Sequence, residues 1–184
     1  MEYSKSGFTL AMAACGALFM AACAGKKDSA TKPFATAEVS GFAANTVSGS
    51  AVFTSADQSG VRIQGDFKGL SPNSKYAIHV HEKGSCETPD ATGPHFDPSQ
   101  SNMHGGPDAT AGTHHAGDLP NLETDENGVA KLNFTSTALG AGSSDNSVLG
   151  RSIVIHAQSD DFQTQPAGGA GEKIACGVIN PAGG

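Results

Sequence analysis

The run GVRIQGDFKGL, Gly60 to Leu70, alternates without a break. Val61, Ile63, Gly65 and Phe67 fall on one side, and Arg62, Gln64, Asp66 and Lys68 on the other. Successive side chains of an extended backbone point to opposite faces, so this run specifies a strand with one face in a core. Shorter runs of the same kind recur as TAEVSGF, TVSGSAVFTS, KYAIHVH, GVAKLNFTS, RSIVIHA and KIACGVIN. A poorer one near Asp118–Thr124 is joined to GVAKLNFTS by DENG at 125–128, a hairpin turn in which Asn-Gly suits positive φ. No stretch has convincing helical periodicity. With 24 glycines and 6% aromatic residues, the chain reads as short strands separated by tight turns. The expectation is an all-β fold, an eight-stranded antiparallel Greek-key barrel or sandwich. A length of 184 residues suits one domain with a real core.

Residues 1–22 read as a leader and not as part of the fold. The stretch GFTLAMAACGALFMAAC is apolar, built of small residues and short for a membrane span. Its end, LFMAAC, resembles a bacterial lipobox, with Cys23 as the lipidated first residue of the mature chain; AMAAC at Cys15 is a rival match that leaves a shorter apolar region. A plain secretory signal or an uncleaved anchor is the other reading of these residues. Residues 23–35 are small and polar and form a tether, which leaves 36–184 as the domain. The expected location is the bacterial cell envelope, lipid-anchored and facing the periplasm. Export means an oxidising compartment. Without the leader and Cys23, the cysteines left are Cys86 and Cys176. If bonded, they close a loop whose chain-entropy contribution is roughly 4–5 kcal/mol.

Two long connections interrupt the strand rhythm, from Glu82 to near Gly117 and from Ala157 to near Glu172. Long structureless loops in a compact domain tend to carry function. All 7 histidines lie between 79 and 156. In HVH, His79 and His81 share a face, opposite Ile78 and Val80. His156 shares a face with Val154, opposite Ile153 and Ile155. The first loop adds His95, His104, His114, His115 and Asp118. Three imidazoles and a carboxylate have the donor composition of a tetrahedral zinc site. A net charge of −7 argues against nucleic acid as partner.

The ordered set HVHEKGSC, GPHFDP, HGGP, HAGDLPN, GRSIVIHAQSDD and AGEKIACGVI resembles the copper/zinc superoxide dismutases over about residues 36–180. The resemblance implies copper and zinc as cofactors and superoxide as substrate. It implies copper ligands at His79, His81, His95 and His156, with His95 bridging to zinc. The other zinc ligands would be His104, His115 and Asp118. The family pattern His-x-Gly-Asp selects His115 over His114. Asp160 matches a carboxylate that ties a copper histidine to a zinc histidine, and Cys86–Cys176 matches the intrasubunit disulfide. His95 would release its copper bond on reduction and carry a proton to the departing peroxide. Lys173 stands where the family usually has an arginine that guides the anion; it keeps the charge but not the planar fork of donors. Lys83 is a second candidate guide. Because the overall charge repels an anion, local focusing at the site would have to win. The alternative function is copper and zinc storage with little turnover. The surface has no readable interface signature, and a homodimer stays open.

Overall fold

The computed structural model describes residues 1–2, 31–56, 60–110 and 112–183. The leader from residue 3, Cys15, Cys23 and the tether up to residue 30 lie outside the described residues. The compact unit Thr31–Gly184 holds both the sheet and the long loops. It contains ten strands: β1 (Ala35–Gly41), β2 (Ser48–Ala56), β3 (Gly60–Lys68), β4 (Lys75–Tyr76), β5 (Ile78–His81), β6 (Leu122–Glu123), β7 (Ala130–Ser136), β8 (Ser152–His156), β9 (Lys173–Val178) and β10 (Asn180–Pro181). Among the described residues the only helical element is the short 3-10 turn Asp90–Thr92.

The large antiparallel sheet runs β5-β8-β9-β1-β2-β3-β7, with β10 on β1, and curls into a half-barrel. The predicted strand KYAIHVH is divided at Ala77: β4 pairs with β6 in a second sheet, whereas β5 pairs with β8. Ala77 itself donates to Gln158 O and accepts from His156 N. Because β4 leads into β5, and the bridge Thr124↔Ala130 links β6 to β7, the small sheet joins the two ends of the large one.

The alternation of β3 appears as strict burial: Val61, Ile63, Gly65 and Phe67 are inside, and their neighbours from Arg62 to Lys68 are outside. Ile63, Phe67, Ile78, Ile153 and Ile155 join Phe53, Leu119 and Ile179 in one core. At DENG only Gly128 adopts positive φ, 73°, and Asn127 does not. Asp125 Oδ1 organises the turn by accepting from the backbones of Asn127 and Val129, so the turn is longer than a two-residue hairpin loop.

Cys86 and Cys176 form a disulfide that ties the first long loop to β9. The same loop lays two short extended pieces along β5. Glu82 N donates to Pro94 O and Phe96 N to Val80 O, while Val80 N donates to Gly117 O, each at 2.9 Å. The isolated bridges His81↔His95 and His79↔Asp118 result from this docking.

Candidate metal centre

Two groups of buried side chains come together where the first long loop lies on β5 and β8. His79, His81, His95 and His156 form one group, and His95, His104, His115 and Asp118 form the other. In each, the candidate donor atoms lie within 4.8 Å of one another. The two groups share His95. The sheet supplies the histidines of the first: His79 and His81 from β5, His156 from the end of β8. At that point the β8–β9 register shifts, so that His156 lies opposite Lys173 instead of Ile174. A β-bulge of this kind re-aims side chains, and here it turns Lys173 toward the imidazoles.

Hydrogen bonds fix which nitrogen of each ring is free. Carbonyls and carboxylates only accept, so the nitrogen facing one must carry the proton. His81 Nδ1 donates to Gly93 O at 2.8 Å, and His156 Nδ1 to Gly171 O at 3.3 Å. Their Nε2 atoms are left facing each other at 3.3 Å. His79 Nε2 donates to Asp160 Oδ2 at 2.8 Å, which leaves Nδ1 free. His79 Nδ1 and His95 Nε2 are buried and have no partner in the protein. Buried acceptors left unmatched cost about 1–3 kcal/mol each. Four unprotonated nitrogens aimed at one point fit a nitrogen-preferring ion such as copper.

The second group converges on a carboxylate. Asp118 Oδ2 accepts from the backbones of Gly105 and His115, at 3.1 and 3.0 Å. That orients Oδ1 toward the Nδ1 atoms of His95, His104 and His115, at 2.8, 3.1 and 3.3 Å. A tetrahedron with metal–nitrogen bonds of about 2.0 Å has edges of about 3.3 Å, so these four atoms fit a zinc ion that would displace the protons now shared between the Nδ1 atoms and Asp118. His114, adjacent in sequence, instead turns its Nδ1 to His115 O at 2.7 Å and stays outside both groups.

The charges of the two groups are set by different causes. Burial pushes His81 well below, and His79 below, the ordinary histidine value, with His95 down to about 4 and His156 to about 3. Burial also acts on His104. There the bonds to Asp118 and Asp160 outweigh it, and the ring rises to about 9. Burial opposes ionisation of Asp118 and Asp160, yet hydrogen bonds from the histidines hold both well below the usual carboxylate range.

A cleft of about 950 Å³ opens onto His81, His95 and His156. Lys173 lines it, held by the disulfide loop: Nζ donates to Thr92 Oγ1 at 2.7 Å, Gly93 O at 2.9 Å and Pro89 O at 3.2 Å. Burial lowers its pKa. Gly93 O thus accepts from both Lys173 and His81. Thr92, fully buried, donates its hydroxyl hydrogen bond to Pro89 O at 2.9 Å. Lys83 is exposed and is not in the cleft wall. Arg151 is in that wall, with its guanidinium 4.2 Å above the Phe96 ring and Nη1 donating to Glu82 O. Thr92 and Arg151 escape sequence reasoning because neither stands in a spacing relation to the histidines that would mark it.

Fold and site together define an all-β half-barrel protein with two adjoining candidate metal pockets that share one imidazole. Residues 47–179 match the family model for copper/zinc superoxide dismutase (SODC). A curated Superoxide dismutase [Cu-Zn] of Deinococcus radiodurans is 41% identical over 143 residues, covering 72% of this chain and 77% of the relative. Superoxide dismutase [Cu-Zn] 2 of Aquifex aeolicus is 43% identical over 130 residues, covering 66% and 72%. Among solved structures, a double mutant of a SOD-like protein from Bacillus subtilis is 31% identical with a TM-score of 0.70, covering 79% of this chain and 96% of that one. The clock protein EA4 is 32% identical with a TM-score of 0.71, covering 82% and 96%. The chain belongs to the copper/zinc superoxide dismutase family.

Proposed function

We propose that the protein dismutates superoxide to molecular oxygen and hydrogen peroxide. His79, His81, His95 and His156 would hold copper, and His95, His104, His115 and Asp118 would hold zinc. The observation that carries this reading is the position of His95, whose Nδ1 belongs to one group and Nε2 to the other. Bound copper supplies the one-electron couple that oxidises one superoxide and reduces a second, beside zinc as a fixed positive charge.

The chain's own residues do the rest. Asp160 holds His79 and His104 through their Nε2 atoms, so neither ring can rotate out of place. His95 lines the cleft, and its Nε2, which has no partner in the protein, would be the atom to hold a proton and pass it to a departing peroxide. Lys173 presents its ammonium to an incoming anion, and Arg151 adds a second cation to the wall. Glu82, Asp97 and Asp145 line the same cleft, so attraction has to be local. The rate is expected to fall as salt rises.

The copper- and zinc-loaded protein should dismutate superoxide rapidly and lose that activity in His79→Ala. Tight metal uptake without turnover in the unaltered protein would favour storage instead. We also read the protein as a lipoprotein of the bacterial cell envelope, anchored through Cys23 and facing the periplasm. The motif LFMAAC supports this. Detergent-dependent release from membranes that survives Cys23→Ser would overturn it.

A further inference from the structure

Loop 157–172 reaches His104 at three separate places. Asp160 Oδ1 accepts from its Nε2 at 2.8 Å. Gly168 passes so close that a Cβ there would stand 2.6 Å from His104 Nε2 and collide with Asp160 Oδ1. The third contact is made by Gln165. Its Oε1 accepts from His104 N–H and its Nε2 donates to His104 C=O, both at 2.8 Å. Among the described residues no other group bonds to the backbone of His104.

Asn121 makes the same contact in the opposite direction. Its Oδ1 accepts from Asp160 N–H at 2.8 Å, and its Nδ2 donates to Asp160 C=O at 2.9 Å. Each loop therefore lends one carboxamide to grip the backbone of the other loop's key residue. Two bonds to one residue resist rotation as well as translation. His104 needs this grip: it lies in no strand, after exposed Met103 and before Gly105 and Gly106.

We propose that Gln165 is a positioning residue of the zinc pocket. Through the backbone of His104 it aims Nδ1 at the shared point, and it makes zinc retention depend on loop 157–172 being docked. The proposal rests on the reading of His104 as a zinc ligand.

The test uses the fully metallated protein and follows zinc transfer to a chelating dye. Partners that orient metal ligands typically change metal affinity about 10–100-fold; Gln165→Ala should release zinc about tenfold faster. Gln165→Glu keeps the bond from His104 N–H but sets a carboxylate against His104 C=O, so it too should release zinc faster. With cobalt in the zinc pocket, the visible spectrum of Gln165→Ala should shift, while the cupric spectrum, set by residues Gln165 does not touch, should stay. Thr164→Ala loosens the same loop at the Asp161 carboxylate without touching His104 and should leave the cobalt spectrum unmoved. Zinc release within twofold of the unaltered protein overturns the proposal. So does an unmoved cobalt spectrum, or the same change in Thr164→Ala. If Gln165→Ala fails to fold, Gln165→Glu and amide exchange at His104 decide: an unprotected His104 amide in the unaltered protein sinks the idea. If the unaltered protein binds no zinc, the ligand reading fails, not the role of Gln165 in the loop.

Discussion

The two halves of the metal centre are built on opposite electrostatic plans. The pocket proposed for copper, the copper side, is four imidazoles without a carboxylate among them, mostly carried by paired strands. Burial keeps those rings unprotonated, so an ion meets free lone pairs. The pocket proposed for zinc, the zinc side, is three imidazoles around a buried anion, Asp118, all carried by one loop. There His104 sits between two carboxylates and keeps a proton far above the usual range. Paired strands fix the backbone of the sheet histidines, and one hydrogen bond apiece from Asp160, Gly93 and Gly171 is enough to orient the rings. A loop has to be held by charge and by clasps from outside.

The largest effect expected from this contrast is on folding without metal. In chelator-treated protein at neutral pH, Asp118→Asn leaves the His104 imidazolium beside a single carboxylate. Breaking a buried ion pair typically costs about 3–5 kcal/mol. His156→Ala strands no charge and should cost clearly less. Urea denaturation compares the two, and equal losses would erase the distinction between the pockets.

Stability against pH gives the next largest effect. The copper-side histidines have lowered pKa values, so their contribution is complete above about 6.5. It is lost as pH falls toward the 4 of His95 and the 3 of His156. His104 has the opposite sign. Its contribution is complete below about 6.5 and is lost as pH rises through 9. Asp118 adds stability that disappears in acid. The metal-free protein should therefore be most stable near pH 6.5, with losses on both sides. A midpoint of unfolding that rises steadily through pH 9 would break this account.

The smallest effect concerns the approach to the copper side. All three protons of Lys173 are taken by Pro89, Thr92 and Gly93, so an anion must share or displace one. Lys173→Arg supplies extra donors in a planar fork and should raise the rate by about fivefold, the worth of one net hydrogen bond. Stopped-flow dismutation would show it; an arginine variant no faster than the lysine protein refutes this view of Lys173.

Much of this arrangement is legible in the chain. Alternation in β3 marks its buried face, and the parity of His79 and His81 places both rings on one side of β5. The turn at DENG is readable too, but as Asn-Gly it suggests a tighter hairpin than the four-residue turn capped by Asp125. The split of KYAIHVH between two sheets has no local signal, because Ala77 takes its partners from Gln158 and His156. The long stretch between β7 and β8 has no strand periodicity to mark it; it is ordered by Leu139 and Val148 in the core.

By itself the sequence determined the all-β architecture and the order of ligating residues, since both depend on spacing along the strand and on donor chemistry. Only the tertiary structure decided how those residues face one another. The bulge that sets Lys173 opposite His156, the tautomers of His79, His81 and His156 and the grip of Gln165 on His104 arise from contacts between segments far apart in the chain. Such contacts depend on where the backbone returns in space, and local pattern contains no measure of that.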